Sequence, residues 1–194
     1  MNTKRSGNIN EAVVLATKLK MNFYFFKAID HDGGDYGVAI LSRYPLTDPQ
    51  TYRLPSNQDP KAEPRILGMG TASLPDGRKI RFASTHLDAQ RPEENRMMQV
   101  KEINRLTEKE SLPLILAGDL NADPNSESIK IFDQQFVRSC ENCGFTIPVM
   151  NPRHTIDHIA YKKGNNFKVI SHLVINETYA SDHLPVLAVL QLNK

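Results

Sequence analysis

At 194 residues, with 40% apolar and 24% charged side chains, the chain is expected to form a single domain, 1–194, around a sizeable core. A net charge of +2 is too small by itself to argue for nucleic acid or an anionic membrane as partner. No stretch approaches the roughly 20 apolar residues that span a bilayer, and Met1–Asn8 lacks the apolar centre of a signal peptide.

In chain order, the first expected element is a helix. Asn8 is a suitable N-cap with Glu11 three residues on, and Ile9, Ala12, Val13, Ala16 and Leu19 follow at helical spacing. The run Phe23-Tyr24-Phe25-Phe26 reads as a strand, Gly33-Gly34 as a turn, and Tyr36–Leu41 as a buried strand. Pro45–Pro64, rich in proline and polar residues, reads as a surface loop. Arg65–Ser73 and Lys79–Thr85 form an expected hairpin around Pro75-Asp76-Gly77. Pro92 suits the start of a helix reaching about Lys109. Leu112–Ala117 reads as a central strand, and a short helix opens near Ser126 with Glu127 in its first turn. The last expected strands are Thr155–Tyr161, Phe167–Ile175 and Pro185–Leu192. Many strands with few helices suit two sheets packed face to face with helices outside.

Polar groups interrupt these runs at strand ends. Gly118-Asp119-Leu120-Asn121 places a carboxylate and an amide two residues apart. Asp119 could bind a hard cation or orient water, and Asn121 could hold a phosphoryl oxygen. The plainer reading is a Gly/Asp/Asn turn. His86 ends another expected strand and could donate to a phosphate gaining charge, although a lone histidine is more often structural. Asp182-His183 precedes Pro185 and could supply a metal ligand and a proton-transfer group; Asp157 could accept from His183 and fix its tautomer. Arg43 and Arg65 could fork onto substrate phosphate or be plain surface residues. Arg96 and Gln99, three apart on the long helix, read as packing or helix-surface residues. Cys140-Glu141-Asn142-Cys143 contains the only cysteines. With no second cysteine pair to complete a zinc site, it reads as a loop pair, reduced or locally disulfide-bonded.

The ordered set Gly37–Arg43, Thr85-His86-Leu87, Gly118–Asn121, Ile156–Ile159 and Ser181–Pro185 resembles the endonuclease/exonuclease/phosphatase superfamily, from about Tyr36 to the C-terminus. The resemblance implies a two-sheet mixed β-sandwich flanked by helices, a four-layer α/β/β/α arrangement of the deoxyribonuclease I type. It also implies Mg²⁺- or Mn²⁺-dependent attack of water on a phosphoester, with the site at one rim. By that resemblance His86 stabilises the phosphoryl group, Asp119 positions or deprotonates water, and Asn121 orients the phosphate. Asp182 resembles a metal ligand, and His183, paired with Asp157, an acid/base or phosphate-binding histidine. Residue identity leaves open whether Asp119 or His183 takes the proton. It also leaves open whether the substrate is a small phosphoester, a lipid headgroup or nucleic acid, and gives no oligomeric state.

One part of the family pattern is not matched. Its site begins with an Asn after the first strand and a Glu, in a Gln-Glu signature, after the second; Thr3-Lys4-Arg5-Ser6-Gly7 resembles the segment just past that Glu. The expectation is a chain beginning downstream of the Glu, lacking the first strand, helix and second strand. Fewer oxygen ligands then mean weak metal affinity and little turnover, the alternative being an inactive remnant or a phosphate- or nucleic-acid-binding module on the same fold. Location follows the same gap: cytoplasmic by default, exported if a leader has been lost.

Overall fold

The computed structural model describes residues 1–57 and 62–193. Helix α1 (Glu11–Leu19) starts two residues later than the Asn8 pattern implies. Asn10 is the actual N-cap, its Oδ1 accepting from the Val13 amide at 3.1 Å, because Asn8 is held in a left-handed turn at φ 59°. Only Ala12 and Ala16 of its apolar set are buried. Strands β1 (Asn22–His31) and β2 (Gly34–Ser42) pair as an antiparallel ribbon. The turn between them is Asp32-Gly33, with φ 47° and 80°, the pair of positive φ values that matches hairpin twist.

The segment expected as a loop from Pro45 to Pro64 contains a strand instead, β3 (Leu46–Arg53), on the edge of a six-stranded sheet. Proline is tolerated there because an edge strand leaves one side unpaired. The ladder to β4 (Ile66–Ser73) slips between Thr47 and Gln50, so Asp48 and Pro49 bulge out. The Arg81 guanidinium, 2% exposed, bonds the Asp48 carbonyl at 2.7 Å and so ties the bulge down. Positions 58–61 of the expected loop lie outside the described residues.

β4 and β5 (Lys79–His86) form the expected hairpin. Helix α2 (Glu94–Thr107) then crosses to β6 (Leu114–Asp119), which runs parallel to β5, as a crossover requires. Ser126 caps α3 (Glu127–Phe132). A short strand that sequence patterning does not signal, β7 (Phe136–Arg138), pairs with β8 (Asp157–Lys162). β9 (Phe167–Val174) and β10 (Val186–Leu192) close the chain as a second ribbon. The large sheet has the order β3-β4-β5-β6-β8-β7.

The main core joins α2 and α3 to this sheet through Val100, Ile103, Ile129, Phe132, Leu67 and Leu116. A smaller core on the β1–β2 side holds Phe26, Ala28, Ile40 and Ile66. β1 and β2 contact β3, β4 and β5, β10 contacts β8, and α1 contacts β1. The layers are therefore helices, large sheet, strand ribbons and an outer helix, the expected mixed α/β sandwich.

Candidate active site

Strand register assembles the polar cluster. Along the parallel β5–β6 ladder His86 stands opposite Asp119, and along the antiparallel β6–β8 ladder Asp119 stands opposite Asp157. One end of the inner strands thus presents an imidazole and two carboxylates in a row. Gly118 makes the close approach possible: a Cβ there would lie 2.1 Å from the Thr85 carbonyl oxygen. The Ser181–His183 turn brings a second imidazole to the row. Its His183 amide donates to Ser181 Oγ at 3.1 Å, and the Asp182 carbonyl accepts from the Val149 amide at 2.8 Å.

His183 Nδ1 lies 2.9 Å from Asp157 Oδ2. The Asp157 carboxylate requires a proton on Nδ1, so Nε2 is left for chemistry. Burial alone would lower the His183 pKa; the Asp157 hydrogen bond and the charges of Asp157, Asp119 and Asp182 outweigh it and hold the pKa above the ordinary value. His183 is therefore biased toward imidazolium.

Asp119 has the opposite bias. Burial pushes its pKa up to about 6; the Asn121 amide, at 2.8 Å from Oδ1, pulls it down, while the Asp157 charge pushes it up and His183 and Arg65 pull it down. A carboxyl group poised near neutrality is suited to accept a proton.

His86 is held neutral. Burial lowers its pKa to about 4, with the Arg65 and His183 charges acting in the same direction. Its Nε2 stands 3.4 Å from Asp119 Oδ2 and its Nδ1 3.0 Å from the Tyr36 hydroxyl. A carboxylate repels an imidazole lone pair, so Nε2 carries the proton and Nδ1 accepts from Tyr36. Titration of the His86 ring, followed by NMR, is expected near pH 4 rather than at the ordinary 6.5. A midpoint at or above the ordinary value would remove the neutral-donor assignment.

Asn121 sits at φ 48° and commits one amide hydrogen to the Leu87 carbonyl at 2.9 Å; the other amide hydrogen and Oδ1 are the groups it can offer a ligand. It lines a cleft of about 800 Å³ with Arg91, Glu93, Arg96, Asp123 and His154. Asp182 is exposed and lines a neighbouring cavity of about 480 Å³ with His86 and His183.

The two arginine candidates separate. Arg43 is exposed and follows the far end of β2, seven residues beyond Tyr36, about 23 Å along an extended strand. Arg43 therefore stands apart from the His86–Asp119–Asp157 row. Arg65 is 6% exposed and lines a small cavity with Tyr36, Gly37 and His86. Glu63 Oε2 forms an ion pair with its Nη2 at 3.1 Å, while its buried Nε and Nη1 have no hydrogen-bond partner among the described residues. Its charge reaches both His86 and Asp119, so it acts on the site from beneath.

Arg96 and Gln99 are buried, not on the helix surface. Gln99 Oε1 accepts from the Asp88 amide at 2.9 Å, Asn95 donates to Asp88 Oδ2 at 2.8 Å, and Arg96 donates to the Asp88 carbonyl at 2.9 Å. Together they fix the loop that follows His86. Sequence patterning does not reveal this network or the Tyr36 contact, since both depend on packing between distant elements.

The ligand atoms of Asp119, Asp157 and His183 lie within 4.8 Å of one another. Carboxylate oxygens suit a hard divalent cation, and the Asp157 charge, which adds to burial in raising the Asp119 pKa, is one that a cation would offset. The carboxylates of this trio therefore fit Mg²⁺ or Mn²⁺ with waters completing the shell, while a protonated His183 offers the cation no lone pair. Asp182 is outside this close trio and belongs to the adjoining rim.

The sequence profile described as "Endonuclease/Exonuclease/phosphatase family" matches residues 5–183. No curated protein matches the chain in sequence. Among solved structures, the mannosyl-6-phosphatase Bt3783 of Bacteroides thetaiotaomicron VPI-5482 superposes with TM-score 0.74 at 22% identity, over 93% of this chain and 82% of that one. The human Nocturnin catalytic domain with bound sulfate anion gives 0.75 at 24%, over 95% and 77%. A functionally unknown conserved protein from Enterococcus faecalis V583 gives 0.78 at 19%, over 94% and 81%. At these identities the likeness is one of fold.

Proposed function

The chain belongs to the endonuclease/exonuclease/phosphatase family, and from that premise we propose that it hydrolyses a phosphoester with water as nucleophile. The observation that carries the reading is the shared register of His86, Asp119 and Asp157 on adjacent strands, with His183 hydrogen-bonded to Asp157.

Asp119 is the base: its carboxylate takes a proton as water attacks phosphorus. His183, as imidazolium, faces the anionic phosphoryl group through Nε2 and is placed to return a proton to the leaving oxygen, with Asp157 holding the ring. His86 donates from Nε2 toward the oxygens that gain charge, and Asn121 orients the group from the cleft side. Asp157 and, from the adjoining rim, Asp182 are the oxygen donors that would hold Mg²⁺ or Mn²⁺, leaving the Asp119 carboxylate free to take the proton. When bound, the cation supplies polarisation of the phosphoryl oxygen and neutralises its charge. The sulfate carried by the Nocturnin domain is an anion of the same shape and kind, and the mannosyl-6-phosphatase is named for a phosphoester. The cleft beside Asn121 is large enough for a substrate that extends beyond the phosphate; small phosphoester, lipid headgroup and nucleic acid all satisfy this.

A second reading, a phosphate-binding module with little turnover, is favoured by the ligand count: the close trio offers carboxylates only from Asp119 and Asp157. Weak cation affinity and slow hydrolysis are therefore expected of the 194-residue chain. The test is release of p-nitrophenolate from bis(p-nitrophenyl) phosphate and p-nitrophenyl phosphate across Mg²⁺ and Mn²⁺ titrations. Slow hydrolysis that EDTA abolishes and excess Mg²⁺ restores is the expected result. Hydrolysis indifferent to EDTA overturns the cation assignment. Phosphate binding without hydrolysis at any cation concentration favours the binding module.

A further inference from the structure

Away from the phosphoester site, Cys140, Cys143 and His172 form a second cluster whose ligand atoms all lie within 4.8 Å of one another. The cysteines are disulfide-bonded, with Cα atoms 5.6 Å apart. His172 comes from β9, far along the chain from the loop that follows β7, which is why the cysteine spacing alone shows no third ligand.

The histidine is set up as a ligand. Its Nδ1 is 2.8 Å from Ser139 Oγ, whereas Nε2 is buried with no hydrogen-bond partner among the described residues. An orphaned buried ring nitrogen is costly and calls for an explanation. Ser139 accepting from Nδ1–H would fix the tautomer that leaves a lone pair on Nε2, the outer-sphere arrangement usual for metal-bound histidine.

We propose that the reduced chain binds Zn²⁺ through the thiolates of Cys140 and Cys143 and the imidazole of His172, with water in a fourth position. Two sulfurs and a nitrogen select Zn²⁺ over the hard cations that suit the carboxylate site. The disulfide and the metal complex are mutually exclusive. An external dithiol supplies two electrons and two protons, its own sulfurs closing into a disulfide as Cys140 and Cys143 become thiols. Zn²⁺ then displaces both thiol protons.

Cobalt substitution tests this. The chain reduced with excess dithiol, then desalted anaerobically, is titrated with Co²⁺. One Co²⁺ per chain is expected, with a sulfur-to-cobalt charge-transfer band that Zn²⁺ abolishes and excess Mg²⁺ does not. The same chain with its disulfide intact should show no such band, a control independent of any variant's folding. Cys143→Ser should lose the band, and His172→Ala should weaken Co²⁺ binding by at least about tenfold, as lost ligation requires. A reduced chain without the band, displacement by Mg²⁺, or a His172→Ala variant with unchanged affinity and spectrum overturns the proposal.

Discussion

Asp119→Asn is expected to lower phosphoester turnover by about 10²–10⁴-fold, the usual contribution of a positioned base, with the fold intact. The substitution preserves volume, and the new Oδ1 can still accept from the Asn121 amide that Asp119 binds at 2.8 Å. What disappears is the proton acceptor. The pH dependence carries the diagnosis. Only the carboxylate form of Asp119 can act, so the parent rate should climb as pH rises through about 6, and the asparagine variant should lack that limb. Inorganic phosphate affinity, measured by calorimetry, should hold or tighten, because a negative charge facing an anion has been removed. A variant with the parent rate would place the base elsewhere.

The electrostatic balance explains why Arg65 matters although it is buried beneath the site. Asp119 and Asp157 face each other across the β6–β8 ladder, and their charges raise the cost of keeping both ionised. The Arg65 guanidinium and the His183 ring offset part of that cost, pulling Asp119 down against burial. Burial, with the same positive charges, keeps His86 neutral, so that in the proposed mechanism it donates without adding a further proton to the row. Each group is thus tuned by the others, and no single residue identity fixes its charge state.

Local chemistry made much of this readable in the sequence. The alternation and apolar runs of β4, β5, β6 and β10, and the cap at Ser126, follow from side chains adjacent in sequence. Asp119, Asn121, Asp157 and His183 are visible because polar groups end those runs. β3 was hidden because Pro49 and the polar residues around it mimic a loop; its pairing depends on β4 and on Arg81, neither of which is local. Tyr36 sits inside a strand with no motif to mark it, and its role arises only where β2 packs beside β5. Arg65 and Arg43 looked alike as sequence features. The former lies beneath the site and the latter at the far end of an extended strand, a distinction that only strand direction and burial supply.

His183→Ala should be as damaging to turnover as loss of Asp119, about 10²–10⁴-fold, but with a different signature. It removes a cation, so inorganic phosphate should bind about tenfold more weakly, a change of about 1.4 kcal/mol. Its side chain is 24% exposed, and solvent screening keeps the effect at that modest scale. The pKa of His183 is raised; phosphate affinity in the parent should therefore fall as pH rises through that value and the imidazolium loses its proton. The alanine variant should lose this dependence. Asp157→Asn separates charge from orientation: the amide oxygen can still accept from Nδ1, but the charge that raises the His183 pKa is gone, so the falling limb should move to lower pH. If His183→Ala binds phosphate as tightly as the parent with the same pH dependence, the imidazolium is not the group that meets the anion. In that case the proton-handling roles of Asp119 and His183 must be exchanged.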